Sequence, residues 1–151
     1  MGERPVSAAN DVLRPLYTYL DRIDAGDVDA VGRLFRPDGV YDILGTEHHG
    51  PETIVRTLRA ALSAWERTSH HGSNPLVDVD GDTARVSASL YAYHARGETV
   101  WHFWGRYTQR LTRSGDGWAI AHMALIGIAS DPPGDPALFP GHPDRRPVEA
   151  P

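Results

Sequence analysis

Apolar residues recur at three- and four-residue intervals in the first part of the chain, which is the spacing of amphipathic helices. The clearest case runs from about Asn10 to Ala25, and it is followed by Gly26, a residue well suited to the end of a helix. Two further helices are predicted at Val28 to Phe35 and from Pro51 to about Trp65. The pattern therefore places three helices before the main strands.

Shorter signals separate the second and third of these helices. Pro37, Asp38 and Gly39 predict a turn, because proline fixes φ while aspartate and glycine tolerate turn conformations. Val40 to Leu44 follows as a short strand, and Gly45 to Gly50 as a loop. The strand and the loop thus lead from the second helix to the third.

The second half of the chain has the alternating pattern of β-strands. Four long strands are predicted, in the order Ser69–Val79, the run from the Asp80-Gly81-Asp82 turn to Ala95, Val100–Thr112 and Trp118–Ala129. Short turns join them, which favours an antiparallel meander. The last strand is apolar on both faces apart from His122, so we expect one face to meet the helices and the other to form a homodimer through the sheet.

Length and composition limit the possible folds and functions. The 151 residues fit one domain, predicted at residues 1–130 and followed by a proline-rich tail at 131–151. The absence of cysteine excludes thiol catalysis and cysteine-ligated zinc. With 15 basic and 20 acidic residues the formal net charge is -5, so nucleic acid is not an expected partner. No apolar run reaches the length of a membrane span, and we expect a soluble, cytoplasmic protein.

Candidate chemistry centres on histidines, because imidazole titrates nearest neutrality and is the commonest proton carrier in catalysis. His70 and His71 stand side by side near the start of the first long strand, and His94 ends the apolar row of the second. Tyr19 and Asp24 edge the first helix about 140° apart on the helical wheel. Both side chains are therefore within reach of a cavity beneath that helix.

Asp42 adds a carboxylate near the end of the short strand, where it is as well suited to capping a turn as to catalysis. The other candidates also have structural interpretations: Tyr19 in the core, Asp24 solvated in the last helical turn, and His94 at the rim. There is no His-Glu-x-x-His helix, no regular ligand spacing and no glycine-rich nucleotide loop. We therefore expect neither a metal nor another cofactor.

Several short segments resemble one family in their order and spacing. They are Asp21–Asp29, Leu34-Phe35, Asp38–Asp42, His70–Asn74, Gly81–Ala84, Gly105–Tyr107 and Gly117-Trp118. Together, over about Leu13 to Ala129, they resemble the SnoaL-like branch of the nuclear transport factor 2 superfamily. The resemblance implies an α+β fold in which a curved antiparallel sheet wraps around N-terminal helices to form a cone with a deep apolar pocket.

Enzymes of this superfamily include polyketide cyclases, ketosteroid isomerases, epoxide hydrolases, and scytalone and bile-acid dehydratases. The resemblance to the dehydratases implies catalytic roles for Tyr19, Asp24, His94 and one histidine of the adjacent pair. The resemblance to the isomerases implies that Tyr19 is an oxyanion donor and Asp42 a proton shuttle. In the isomerase pattern Tyr107 replaces the usual carboxylic acid, which weakens that interpretation.

The residues leave open which adjacent histidine faces the pocket. Alternation along the strand, counted from Val77, favours His71, whereas the family pattern favours His70. A bulge within Gly72–Pro75 would reconcile the two by shifting the register. We take His70 as the first choice and keep His71 as a candidate.

The predicted function is that of a cofactor-independent dehydratase or cyclase that acts on a small apolar, carbonyl-bearing, polyketide- or steroid-like substrate. A histidine would remove a proton next to the carbonyl, and Tyr19 would stabilise the enolate oxygen. Substrate contacts are expected from Trp65, Asn74, His102, Trp104 and Tyr107. The alternatives are an isomerase that uses Asp42 and a non-catalytic binding or assembly module. Convergence of the candidates on one apolar cavity would favour an enzyme.

Overall fold

The computed structural model describes residues 5–133. The helices are α1 (Pro5–Asp24), α2 (Val28–Gly32) and α3 (Pro51–Leu62), and the strands are β1 (Phe35–Ile43), β2 (Thr46–His49), β3 (Arg67–Asp80), β4 (Thr83–Arg96), β5 (Thr99–Ser114) and β6 (Gly117–Asp131). No helix in this part of the chain is long and apolar enough to cross a membrane. The predicted tail lies outside the described residues from position 134 onward.

Helix α1 packs its apolar face on the inner surface of β3. Val12 and Leu16 are fully buried on that face. The approach is close at Gly72, where a Cβ atom would lie 2.8 Å from Cδ1 of Leu20. The helix ends before Gly26, whose φ of 73° is a left-handed conformation that glycine adopts without steric cost. This packing brings the C-terminal end of α1 against the first half of β3.

The six strands form one sheet in the order β2-β1-β6-β5-β4-β3. Neighbouring strands are antiparallel except for β1 and β6, which are parallel. The predicted meander from β3 to β6 is confirmed, and so is the α+β class with a curved, mainly antiparallel sheet wrapped around helices. Helices α2 and α3 end three residues earlier than predicted, at Gly32 and Leu62.

The predicted turn between the second helix and the short strand is wrong. Pro37 to Gly39 lie within β1, which begins at Phe35. The register of β1 against β6 shifts between Phe35 and Val40. Such an irregularity accommodates Pro37, which has no backbone N–H to donate to a neighbouring strand.

The predicted loop from Gly45 to Gly50 is also wrong, because it contains β2. A two-residue turn, Leu44-Gly45, joins β2 to β1, with Ile43 paired to Thr46. Both turn residues have positive φ, 55° at Leu44 and 92° at Gly45. Leucine rarely adopts this conformation, so the sequence lacks the usual hairpin signal of asparagine or aspartate followed by glycine.

The inner face of the sheet and the helices enclose the core. The inward residues of β4 are those predicted, namely Ala84, Val86, Ala88, Leu90, Ala92 and His94. Gly105 and Gly127 oppose each other on β5 and β6, where the register shifts. A Cβ atom on Gly105 would lie 2.6 Å from the carbonyl oxygen of Ile126 and 2.7 Å from the ring of Phe103. Glycine therefore leaves the room in which the Phe103 ring packs.

Candidate active site

A narrow cavity lies between the inner face of the sheet and helices α1 and α3. Its volume is about 60 Å³, counted as the space open to the centre of a water-sized molecule, and the roughly 780 Å³ of space between atoms at this site includes open solvent. The apolar part of the wall includes Ile23, Leu58, Trp65, Leu90, Phe103 and Leu125, and the polar side chains are Tyr19, Tyr41, Thr46, His48, Thr57, His70, His94 and Tyr107. This shape suits a small, flat and largely apolar molecule.

His70 and Asp24 form a hydrogen-bonded pair at one wall of the cavity. Nδ1 of His70 lies 2.6 Å from Oδ1 of Asp24, and the backbone N–H of His70 donates to Oδ2 at 2.7 Å. The hydroxyl of Thr68 donates to Oδ1 at 2.9 Å. Asp24 is thus held from three directions behind His70, which itself lines the cavity. Nε2 is the ring nitrogen of His70 that Asp24 does not engage.

The ionised state of Asp24 determines how the His70 ring is protonated. Burial acts to raise the pKa of Asp24, but the side-chain and backbone hydrogen bonds from His70 and the bond from Thr68 outweigh it, and the pKa lies below its usual value. A carboxylate that accepts from Nδ1 fixes the tautomer and stabilises the imidazolium form. Nε2 is then the nitrogen that can accept a proton from a bound molecule.

His94 lies next to His70 on the neighbouring strand. The two ring centroids are 5.2 Å apart and the ring planes are nearly perpendicular. His94 is also packed against Trp65 and Trp101, with centroid distances of 5.3 and 5.1 Å. Burial, reinforced by the charge of His70, lowers the pKa of His94 to about 3, while Asp24 and a hydrogen bond to the Trp101 backbone act in the opposite direction. His94 is therefore neutral at physiological pH.

Three buried tyrosines, Tyr19, Tyr41 and Tyr107, form a cluster at the cavity wall. The hydroxyls of Tyr19 and Tyr41 are hydrogen-bonded at 3.0 Å, and Tyr107 is hydrogen-bonded to both. Burial raises the pKa of Tyr19 to about 12, although the bonds to the other two tyrosines act to lower it. Burial likewise raises the pKa of Tyr41 and Tyr107 well above the ordinary value. All three hydroxyls stay protonated, and one of them can donate to an oxygen atom in the cavity in place of a hydrogen bond within the cluster.

Several of the residues singled out in the sequence meet at this cavity. Tyr19, His70 and His94 line it, and Asp24 supports His70 from behind. Of the expected substrate contacts, Trp65 and Tyr107 form part of the wall. Within residues 5–133, no group of three or more histidine, aspartate or glutamate side chains is arranged to hold a metal ion.

Asp42 does not line the cavity, in contrast to its expected role in an isomerase. Its Oδ1 accepts a hydrogen bond from the backbone N–H of Gly45 at 2.8 Å. Side chains alternate along a strand, and the preceding Tyr41 faces inward. Asp42 therefore caps the turn between β1 and β2. Of the two roles considered for it from the sequence, capping a turn and catalysis, the structure shows the first.

A bulge in β3 decides which adjacent histidine faces inward. The register with β4 shifts within residues 73–76, and Asn74 there has a φ of 52°. Alternation counted from Val77 across this bulge predicts the wrong histidine. His70 lines the cavity, whereas the exposed His71 is hydrogen-bonded to the Ser69 hydroxyl at 2.8 Å. Neither His71 nor the exposed Asn74 lies at the cavity wall.

His102 and Trp104, two expected substrate contacts, lie on the outer face of the sheet. Nδ1 of His102 is hydrogen-bonded to the hydroxyl of Tyr91 at 2.7 Å. Trp104 is 40% exposed, and its ring packs 5.7 Å from that of Tyr91. Both residues alternate with the inward Trp101 and Phe103 of β5, so their side chains point away from the cavity.

Two titratable residues at the cavity, Tyr41 and His48, had no predicted role. Tyr41 is an inward residue of β1, and alternation along a correctly placed strand would have identified it. His48 lies on β2, which was predicted as a loop, so no alternation was available for it. To predict from the sequence that Tyr41 and His48 face the cavity, one must know how β1 pairs with β2.

Comparison with known proteins gives a family and a fold. The model of the SnoaL-like domain family matches residues 4–124. No match to this sequence is found among curated proteins.

Solved structures similar to this chain share its architecture. A candidate scytalone dehydratase from Novosphingobium aromaticivorans is 19% identical, with a TM-score of 0.76 over 83% of this chain and 87% of the other. An NTF2-like protein with a cystatin-like fold from the same species is 20% identical, with a TM-score of 0.71 over 82% and 84%. A type 2 hexachlorocyclohexane dehydrochlorinase, LinA, is 18% identical, with a TM-score of 0.73 over 83% and 88%. At these identities the likeness shows the fold, whereas the family match covers most of the sequence, and the chain belongs to the SnoaL-like domain family.

Proposed function

We propose that this protein is a cofactor-independent acid/base lyase of the dehydratase type, acting on a small, apolar, carbonyl-bearing ring compound. The observation that carries the proposal is the meeting of the His70–Asp24 pair, His94 and the tyrosine cluster at one apolar cavity. A few convergent polar groups in an apolar cavity are typical of small-molecule active sites. Two of the similar structures bear the names of elimination enzymes, which supports the same reaction class.

The first step of the proposed reaction removes a proton from the carbon next to the carbonyl group. Nε2 of His70 accepts that proton, and the electron pair of the C–H bond moves toward the carbonyl oxygen to form an enolate. Asp24 stabilises the resulting imidazolium. The hydroxyl of Tyr19 donates a hydrogen bond to the enolate oxygen, where negative charge develops.

The second step expels the hydroxyl group from the adjacent β-carbon. The enolate electrons form a double bond between the α- and β-carbons as the carbonyl re-forms and the C–O bond breaks. The proton on Nε2 of His70 leaves with the hydroxyl group as water, so the histidine returns to its neutral state. The neutral His94 beside His70 is placed to hydrogen-bond the leaving oxygen. The reaction is a net loss of water and needs no oxidant.

The position of Asp42 argues against the isomerase alternative. That reaction requires a carboxylate that carries a proton between two carbons of the substrate, and Asp42 instead caps a turn outside the cavity. A cyclase would use the same enolate as the dehydratase, so the first step is common to both. A purely binding function does not account for the hydrogen-bonded His70–Asp24 pair at the wall of an apolar cavity.

Hydrogen–deuterium exchange tests the first step without knowledge of the natural substrate. We would incubate 1-indanone, 1-tetralone and 2-tetralone with the protein in D₂O and follow the loss of α-proton signals by NMR. The wild type should accelerate exchange of at least one ketone above the buffer rate, and His70→Gln should abolish the acceleration. The exposed neighbour provides the control, His71→Gln, which should behave as wild type. No acceleration by the wild type, or equal rates in both variants, would overturn the proposal.

A further inference from the structure

A second polar pair lies at the same cavity, apart from His70 and Asp24. His48 on β2 and Thr57 on α3 both line the cavity, and Nδ1 of His48 lies 3.1 Å from Oγ1 of Thr57. β2 and β3 are the two edge strands of the sheet, so each edge contributes one imidazole to the cavity wall. Of these two edge-strand histidines, the reaction proposed above uses only that of β3.

Strand pairing explains why His48 points inward. His48 is paired with Tyr41 across the antiparallel ladder between β2 and β1. Directly opposed residues project from the same face of a sheet, and Tyr41 is buried on the inner face. The next residue, His49, projects outward, where its Nε2 lies 3.1 Å from the carboxylate of Glu47. Two adjacent histidines thus have opposite environments.

Thr57 engages one ring nitrogen of His48 and leaves the other for a ligand. Nε2 of His48 has no hydrogen-bond partner among residues 5–133. Burial lowers the pKa of His48, against the opposing charge of Asp42, so the ring is neutral at physiological pH. A neutral ring nitrogen either donates or accepts one hydrogen bond, depending on the tautomer, and a ligand hydroxyl group satisfies both cases.

We propose that His48 is a specificity-determining residue that binds a hydroxyl substituent of the substrate, other than the one eliminated, on the side of the cavity formed by β2 and α3. This inference rests on the proposed function and narrows its substrate class to small hydroxylated ring ketones. The wall on this side is largely apolar, and its polar side chains, Thr46, His48 and Thr57, are neutral. It therefore favours such a hydroxyl group over a charged substituent, which would be costly to remove from water.

Calorimetric titration of matched ligands tests the inference directly. The ligands are 1-tetralone and its 5-, 6- and 7-hydroxy derivatives. At least one hydroxylated isomer should bind the wild type about fivefold to tenfold more tightly than 1-tetralone, the effect of one good hydrogen bond. His48→Leu should remove this gain and keep the affinity for 1-tetralone within about twofold, since the apolar contacts remain.

Two further variants complete the experiment. His49→Leu changes the neighbouring outward histidine and should keep the gain in full. Thr57→Val removes the hydroxyl that orients the His48 ring and should reduce the gain even if His48→Leu proves too unstable to titrate. Equal affinity of the wild type for all four tetralones, or a gain that survives both His48→Leu and Thr57→Val, would overturn the inference.

The α-proton exchange of 1-tetralone separates this inference from the proposed function. If exchange is catalysed but hydroxylation brings no gain in affinity, the role of His48 is wrong and the acid/base function stands. If the wild type binds none of the four tetralones and accelerates exchange of none of 1-indanone, 1-tetralone and 2-tetralone, both are wrong.

Discussion

Nδ1 of His70 lies 2.6 Å from Oδ1 of Asp24, although 46 positions separate the two residues in the sequence. The contact joins the last residue of α1 to the first half of β3. It holds the His70 ring with one nitrogen on a carboxylate and the other toward an apolar cavity. This relationship determines which atom acts as the base in the proposed reaction.

Asp24→Asn should lower kcat for the dehydration of 3-hydroxy-1-tetralone to 1-naphthol by about 1,000- to 10,000-fold, by analogy with other aspartates that orient a catalytic histidine. An asparagine amide can donate to Nδ1, which places the ring proton on Nε2, where the base is needed. KM should change little because Asp24 acts through His70. Absorbance of 1-naphthol measures the rate. The control is Asp21→Asn, which changes an exposed aspartate on the same helix and should retain the wild-type kcat. An unchanged kcat in Asp24→Asn would contradict the prediction.

Tyr19→Phe should reduce kcat/KM for the same reaction by about 100- to 1,000-fold, the usual effect of removing one donor to an oxyanion. The hydroxyl of Tyr19 is buried and hydrogen-bonded to that of Tyr41, so the loss removes a donor from the cavity wall. Tyr17→Phe is a matched control on the same helix, because Tyr17 is 45% exposed. If the two variants had equal rates, the tyrosine cluster would have no part in catalysis.

Stability should fall as the pH decreases from about 6.5 toward 4.5, and His94 should cause part of the fall. The pKa of His94 is about 3 in the folded protein, so the unfolded chain binds a proton that the folded protein does not bind in this range. One such proton gives a slope of at most about 1.4 kcal/mol per pH unit in the free energy of unfolding. His94→Gln should flatten the slope in urea unfolding. An unchanged slope would show that His94 is protonated in the folded state.

Asp42→Asn should leave dehydration of 3-hydroxy-1-tetralone within about threefold of the wild-type rate, because a change outside the site alters transition-state binding little. An asparagine oxygen can still accept the hydrogen bond from Gly45, so the free energy of unfolding should change by less than about 1 kcal/mol. A loss of nearly all activity would instead support the isomerase-type assignment of Asp42.

Gly105→Ala should destabilise the protein by about 1 to 3 kcal/mol, the usual cost of overpacking a core. The added methyl group would meet the carbonyl of Ile126 at 2.6 Å and the ring of Phe103 at 2.7 Å. Gly117→Ala is the control, because the added Cβ would lie 3.9 Å from its nearest neighbouring atom, the carbonyl oxygen of Ser114. Urea denaturation of the two variants measures the difference, and equal stabilities would show that the sheet can shift to admit the methyl group.

Helix α1 and strand β4 bury one face over many residues, and their apolar positions repeat often enough to determine both type and orientation. β3, β5 and β6 were also predicted as strands, but alternation gave the wrong histidine in β3, and His102 and Trp104 of β5 point outward. β1 and β2 are short, and their hairpin turn uses Leu44 in a left-handed conformation. Local residue preferences do not indicate such a turn, because tertiary packing stabilises it.

The site was predictable in its residue types and less so in its geometry. Tyr19, Asp24 and His94 follow from the periodicity of long elements and from the family resemblance. The choice between His70 and His71 depends on a bulge, and the inward position of His48 depends on strand pairing. In both cases a change of one residue in the strand pairing would turn the side chain to the other face of the sheet, and neither composition nor alternation specifies that pairing.

The outer face of the sheet exposes Trp104 by 40%, Ile126 by 48% and Ile128 by 66%. Apolar side chains grouped in this way commonly mark an interaction surface. The homodimer through this face stays a prediction, and analytical ultracentrifugation of the wild type would test it.

The dehydration rate of 3-hydroxy-1-tetralone in wild type, His70→Gln and His71→Gln tests the central role of His70 most directly. The two variants carry the same substitution at adjacent positions, of which His70 faces the cavity and His71 is exposed, and urea unfolding of both separates a loss of stability from a loss of catalysis. We predict that His70→Gln loses about 100- to 10,000-fold in kcat/KM, as expected for a general base, while His71→Gln stays within about threefold of wild type. Equal losses in both variants, or wild-type activity in His70→Gln, would contradict the assignment of His70 as the base.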